Sequence, residues 1–291
     1  MIGRLALNED LNFLLTNRIP RRLATRLVGW LSRIEQPLVA RGSIALWRLF
    51  SDVDLADAET TRFRSMHECF TRRLRPGARP ADPDPRVLAS PCDAIVGAHG
   101  AIAGDAVLQV KGFPYSLADL LGDADAAAPF IGGLYVTLRL TAGMYHRFHA
   151  PHDVAVEQVT YLSGDCWNVN PIALRRVERL FCRNERAAIL TRLDDGAPLM
   201  LVAVAAVLVA SIRLSFLETE RTVREQGSFR AGVATRLGKG AEMGWFEHGS
   251  TIVLLAPPGW AFDPAIAEGR RLRAGEALMR ALSPQAAHLH A

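Results

Sequence analysis

The chain is poor in cysteine, and the four it has stand far apart: Cys69, Cys92, Cys166 and Cys182. None belongs to a CxxC pair, so neither a zinc site nor a disulfide framework is signalled, and a reducing cytosolic setting is the simpler expectation. A hydrophobic run of membrane-spanning length is also lacking. The longest, residues 197–212, falls short of the about 20 apolar residues that a spanning helix needs. It is rich in valine (Val202, Val204, Val207, Val209), which favours a buried strand or a bent pair of strands. No secretory leader is expected, because Asn8, Glu9 and Asp10 interrupt the short apolar start. There is no internal repeat and no low-complexity tract. Metal-ligand clusters are scarce too. His146, His149 and His152 recur at three-residue steps, but Pro151 argues against one helix presenting all three and no second cluster completes a set. No metal is expected.

What is present is a chain of 291 residues, 49% hydrophobic and 22% charged, with room for a substantial core. Its net charge of +4 is unevenly spread. Between Met1 and Arg48 there are eight arginines against three acidic residues, which points to an anionic neighbour. Pro20 fits a first helical turn, and Leu23, Leu27, Trp30, Leu31 and Ile34 follow at three- and four-residue steps beside Arg22, Arg26 and Arg33. This helix is predicted to end before Pro37, and a second covers Ser43 to Phe50 with Trp47 and Arg48. Two readings stay open: an ordinary helical pair packed on a core, or helices lying in a membrane surface. On the second reading, Arg22, Arg26, Trp30, Arg33 and Trp47 are the docking residues. No nucleic-acid-binding module accompanies the arginines.

A short helix is expected within Phe63–Leu74, and the Pro/Gly-rich connector after it sets a boundary near residue 80. Beyond it, short apolar runs alternate with glycine, proline and aspartate. Strands are predicted at 94–97, 106–110, 133–140, 154–162, 187–193, 199–212 and 251–255, with brief helices at 116–121 and 171–177 and a longer one over 264–282. The fold class is therefore α+β. Residues 1–80 form a helical region, and residues 81–291 form a β-rich domain, barrel- or sandwich-like, with short helical insertions.

Chemistry gathers in three places. Residues 239–251 carry three glycines and run into the apolar segment Ile252–Leu255, and they contain the peptide Gly249-Ser250. A glycine carbonyl has no Cβ to shield it, and a hydroxyl stands next to it. The alternative is a hairpin whose serine and threonine satisfy turn groups. The second place is the histidine cluster, which either satisfies a turn or supplies a base. The third is Asp93, which follows a proline turn and opens a strand. Ser250, a histidine and Asp93 would together make a nucleophile, its base and an orienting group.

Several separated blocks resemble the phosphatidylserine decarboxylases, the pyruvoyl-dependent family that makes phosphatidylethanolamine. They are Asn17–Pro20 with Ile44–Phe50, Phe70–Leu74 with Pro76–Pro80, Ser90–Asp93, Gln109–Gly112 with Tyr115–Leu117, Tyr145–His149, Asn184–Arg186 and the stretch around Gly249-Ser250-Thr251. The resemblance implies self-cleavage between Gly249 and Ser250 into chains 1–249 and 250–291. Asp93 would orient His149, which takes the Ser250 proton, and Ser250 would become a covalent pyruvoyl group. That ketone would form a Schiff base with the amine of phosphatidylserine, with His146 as the candidate proton donor after CO2 leaves. The resemblance further implies a peripheral protein on the cytoplasmic face of the inner membrane, an anionic lipid surface as partner, and a homodimer. A pyruvoyl decarboxylase of another serine phospholipid or amino acid is the alternative, and an uncleaved serine hydrolase a more distant one. Three departures from the family pattern stand at four positions: His248 before the cleavage bond, Ala205 and Ala210 where glycine is commoner, and Ala94 after Asp93.

Overall fold

The computed structural model describes residues 9–10, 13, 21–108, 113–206, 212–247 and 250–282, with only the backbone at 21–26 and 224. The strands run in chain order as β1 (Val87–Ala89), β2 (Ala94–Ala101), β3 (Ala106–Leu108), β4 (Pro114–Ser116), β5 (Leu134–Leu140), β6 (Arg147–His149), β7 (Val154–Leu162) and β8 (Arg186–Arg192). They continue as β9 (Pro198–Ala205), β10 (Ile212–Leu214), β11 (Phe229–Leu237), β12 (Glu242–Phe246), β13 (Ser250–Ala256), β14 (Trp260–Phe262), β15 (Arg271–Leu272) and β16 (Ala277–Ala281). The helices are α1 (Arg21–Ser32), α2 (Pro37–Phe50), α3 (Met66–Phe70), α4 (Leu117–Leu121), α5 (Pro171–Arg176), α6 (Leu180–Arg183) and α7 (Thr219–Gln226). The fold is α+β and β-rich.

The organising element is an eight-stranded antiparallel sheet in the order β11-β7-β8-β9-β13-β5-β2-β15. Strand β13 lies inside it, hydrogen-bonded to β9 and β5, and all seven of its residues are buried. Such a strand shows no polar alternation in sequence because both faces are covered. Ile252 and Leu254 pack on one face with Leu138, Ala203, Phe148, Met243 and Phe246, against the small sheet β10-β12-β6. Val253 and Leu255 pack on the other with Val202, Leu120, Leu174 and Phe181, under α4, α5 and α6. The main sheet is therefore a middle layer between a small sheet and short helices.

The valine-rich run is a bent pair. β9 ends at Ala205 in the main sheet, and β10 belongs to the small one. Residues 207–211, and with them Ala210, lie outside the described residues. So do 14–20 and 109–112. Helix α2 begins earlier than predicted: Pro37 sits in its first turn, and the Gln36 side chain accepts the Val39 amide at 2.8 Å. The helix predicted over 264–282 is absent from the described part, 264–282, where β15 and β16 stand instead. Gly275 explains much of this, with φ +91° and with a Cβ there falling 2.3 Å from the Pro80 carbonyl oxygen. The segment is held by backbone contact with the Pro80 connector, and a helix has no room for that contact.

Between the N-terminal helices and the sheets, Trp47, Cys69 and Phe70 form a small core with Ile44, Val53, Leu55, Phe63 and Met66. The sequence places Trp47 among the docking residues. It is instead 8% exposed, its ring 5.6 Å from that of Phe70, so its indole serves packing and is not available to a lipid surface.

Candidate active site

Ser250 opens β13, with Leu140 of β5 and Ala205 of β9 as its cross-strand neighbours. Strand alternation puts its side chain on the face of Ile252 and Leu254, towards the small sheet. It is fully buried, and its Oγ has no hydrogen-bond partner among the described residues. An unsatisfied buried hydroxyl costs about 1–3 kcal/mol, so a fold that keeps one does so against its own stability. Gly249 and His248 lie outside the described residues.

The small sheet carries His149, and His146 directly precedes its strand β6 in the chain. His149 ends β6 opposite Glu242 of β12, and its amide donates to the Pro91 carbonyl at 2.7 Å. Its Nδ1 lies 2.9 Å from the Gly240 carbonyl oxygen. A carbonyl only accepts, so Nδ1 carries the hydrogen and Nε2 keeps the lone pair. The Tyr145 hydroxyl donates to that Nε2 at 3.1 Å, and the two rings stack. Burial holds the imidazole pKa below its usual value, against the opposing effects of the Gly240 carbonyl and of the Glu242 and Asp93 charges. A neutral ring with a bare Nε2 is the form a general base requires. The turn that supplies the carbonyl depends on Gly240, whose φ of +83° suits glycine.

Asp93 is nearby but bonded elsewhere. Its carboxylate takes the Arg79 guanidinium in a two-pronged pair at 2.8 and 2.7 Å and accepts the Ala274 amide at 2.9 Å. Arg79 also reaches Asp57 at 2.8 Å. No hydrogen bond joins Asp93 to His149 among those of the described residues. The aspartate acts on the imidazole as a charge, while the Gly240 carbonyl fixes the tautomer. Asp93, Arg79, Arg72 and Tyr145 line a polar cleft of about 280 Å³.

His146 is fully buried, its ring stacked on Phe70 with centroids 4.0 Å apart. Its Nε2 lies 3.1 Å from the Thr141 carbonyl and 3.3 Å from that of Ala142, so this nitrogen is the donor. Glu247, two positions before Gly249, holds Arg33 of α1 at 2.8 Å and Arg213 of β10 at 3.2 Å. Arg33, expected to face lipid, therefore has one guanidinium nitrogen bound to the loop before the Gly249-Ser250 peptide. The side chains of Arg22 and Arg26 are outside the description. Trp30 is 67% exposed, and with it stand Leu27, Leu31, Leu38, Leu46, Leu49 and Phe50, all exposed on α1 and α2.

Sequence reasoning names Ser250, His149, His146 and Asp93 but misses Gly240, Tyr145 and Arg79. Gly240 acts through a backbone carbonyl, which has no signature of its own in a sequence. The phenol of Tyr145, four residues from His149, and the charge of Arg79 are readable as residue types, but their partners are not.

Comparison with known proteins bears on the whole constellation. The sequence model of the phosphatidylserine decarboxylase family matches residues 66–280. The chain belongs to the phosphatidylserine decarboxylase family. The match starts at α3 and runs through the strands to the penultimate residue of β16. Among individual relatives, the phosphatidylserine decarboxylase proenzyme of Anaeromyxobacter sp. (strain K) is 36% identical over 283 residues, covering 94% of this chain and 99% of its own. The proenzyme of Halorhodospira halophila is 38% identical over 275 residues, 90% of this chain and 91% of its own. That of Bordetella pertussis is 37% identical over 250 residues, 82% and 83% respectively. No helix of the described residues is long and apolar enough to cross a membrane.

Proposed function

We propose that the chain decarboxylates phosphatidylserine to phosphatidylethanolamine and CO2, at a site it completes by cutting itself between Gly249 and Ser250. The observation that carries this is the Ser250 hydroxyl: fully buried, without a partner among the described residues, and at the start of a strand that faces the small sheet in which His149 lies. The family and the proenzyme names of its members support the same reading.

In maturation, His149 Nε2 accepts the Ser250 proton while Oγ attacks the Gly249 carbonyl carbon. The peptide C–N bond breaks, an ester forms, and the freed amine takes up the proton. Loss of the position-250 Cα proton then expels the Gly249 carboxylate. The dehydroalanine left behind takes up water and releases ammonia, giving a pyruvoyl group at position 250. Gly240 keeps the imidazole in the tautomer this needs, and the charges of Asp93 and Glu242 favour the imidazolium as it forms. Tyr145 must release Nε2 as the serine proton arrives.

The site fits the group. Ser250 Oγ anchors nothing among the described residues, so replacing hydroxyl by ketone breaks no hydrogen bond that the fold depends on. The pyruvoyl group supplies an electron sink for the bonding pair left when CO2 departs. His146, its ring held by Phe70 and its Nε2–H by the carbonyls of Thr141 and Ala142, takes a proton from solvent at Nδ1 and returns it from that atom to the substrate Cα.

A diacyl substrate stays in its bilayer, so the enzyme must dock there. Residues 1–80 are the docking region and 81–291 the catalytic one. Leu27, Trp30 and Leu31 of α1 and Leu46, Leu49 and Phe50 of α2 present apolar surface that is left uncovered. Arg22 and Arg26 belong to the same helix and are assigned to lipid phosphates. The protein acts as a homodimer of processed chains, peripheral to the cytoplasmic face of the inner membrane and drawn to anionic lipid.

Purified Ser250→Ala and His149→Ala variants test the assignment. Both are expected to remain full-length and to release no CO2 from phosphatidylserine vesicles. CO2 release at the parent rate by Ser250→Ala rules the proposal out.

A further inference from the structure

Behind β13, on the face away from Ser250, lies a second cavity, of about 470 Å³. Its floor is a patch of the main sheet formed by Thr251, Arg139 and Thr137, with Gly97 beside them. Arg139 stands directly across the ladder from Thr251, and Gly97 abuts Thr137, where a Cβ would come within 3.4 Å of the Thr137 carbonyl oxygen. The roof is formed by Leu174 of α5 and Phe181 of α6, with Arg175 of α5, whose guanidinium pairs with Glu9 at 2.6 Å, beside them. Three polar groups meet there without a match. Thr137 and Thr251 are 2% and 0% exposed, and neither hydroxyl has a hydrogen-bond partner among the described residues. The Arg139 guanidinium has no ion pair among the described residues, although burial disfavours its charge and no nearby carboxylate offsets this. Glu268 also lines the cavity, from an exposed loop.

A half-buried cation beside two fully buried, idle hydroxyls is costly unless something completes it. A guanidinium supplies paired donors in a fixed fork, which matches a tetrahedral oxyanion, and each hydroxyl adds one more donor. The apolar side chains of the roof accommodate a hydrocarbon substituent on that anion. We propose that this cavity is a second ligand site, which binds a phosphate-class anion through Arg139, Thr137 and Thr251 and packs its apolar part under α5 and α6. The ligand is an anionic phospholipid or a free phosphate, and the two share the chemistry of the floor. The site lies on the opposite face of β13 from the Ser250 side chain, and its occupancy needs neither cleavage nor turnover.

Isothermal titration calorimetry on full-length Ser250→Ala tests this without turnover. The probes are monomeric dihexanoyl phosphatidic acid, inorganic phosphate and octanoate. Phosphatidic acid is expected to bind, about tenfold more weakly in an added Arg139→Gln and severalfold more weakly in an added Thr137→Val. Glu268→Gln removes a repelling charge from an exposed position and is expected to tighten binding, a gain that damaged folding would not produce. Inorganic phosphate binding as tightly as the lipid supports the site and assigns it to free phosphate; much weaker phosphate binding supports it and assigns it to the lipid. Octanoate binding as tightly as phosphatidic acid overturns the phosphate assignment. Phosphatidic acid that fails to bind, or binds equally in the Arg139→Gln and Thr137→Val variants, overturns the site.

Discussion

The two ring nitrogens of His149 are held by a backbone oxygen on one side and a phenol on the other. Its Nδ1–H goes to Gly240 and its Nε2 receives Tyr145. Two consequences follow at this scale. Burial lowers the folded pKa below the usual 6.5, so the ring is neutral at neutral pH. Self-cleavage should then keep its rate down through pH 6.5 and fall only in more acid solution; a limb centred above 6.5 in a timed gel assay would contradict the assignment. The sign for stability is the same. The unfolded chain binds the proton more readily, so this histidine withdraws stability as pH drops below 6.5. The second consequence concerns Gly240→Ala. An alanine held at φ +83° costs about 1–2 kcal/mol and shifts the carbonyl that fixes the tautomer. Cleavage should slow about tenfold without stopping, as followed by the fraction of full-length chain over time; an unchanged rate would assign the tautomer to some other group.

At the scale of elements, the two tryptophans of the N-terminal helices separate. Both lie on apolar stripes at helical spacing, and the sequence alone treats them alike. Trp30 is 67% exposed on α1, whereas Trp47 is packed against Phe70. Trp30→Ala should weaken recruitment to anionic vesicles in a sedimentation assay with little change in thermal stability. Trp47→Ala should cost about 3–5 kcal/mol of stability through the cavity it leaves, read as a lowered melting temperature. The reverse pattern would invalidate the docking face. The same elements show how far a sequence can be read. The strand predicted at 154–162 is β7 residue for residue, because its flanking turns are sharp. β6 and β12 pass unnoticed: β6 has three residues, two of them polar, and β12 is short and broken by Gly244. The helix expected over 264–282 fails because periodicity cannot register the close approach of Gly275 to Pro80. An aspartate's partner is equally invisible. Asp93 is singled out in the sequence as the orienter of a histidine, but Arg79 claims its carboxylate.

At the scale of the molecule, β13 gives the account its centre. One face of this buried strand turns Ser250 towards the small sheet, and the other turns Thr251 towards Arg139 and the rear cavity. The N-terminal helices reach the same region. Arg33 of α1 grips Glu247 just before the Gly249-Ser250 peptide, and Phe70 of α3 supports His146. The N-terminal helices are thus joined by direct contacts to the residues around Ser250 and His146. The central claim is that the protein breaks its own chain before residue 250 and converts that residue. Intact mass spectrometry of purified, active protein, with and without a carbonyl-reactive hydrazide, tests it most directly. The account predicts two chains, 1–249 and 250–291, with the hydrazide adding to the second alone. A single uncleaved chain in fully active protein would contradict it.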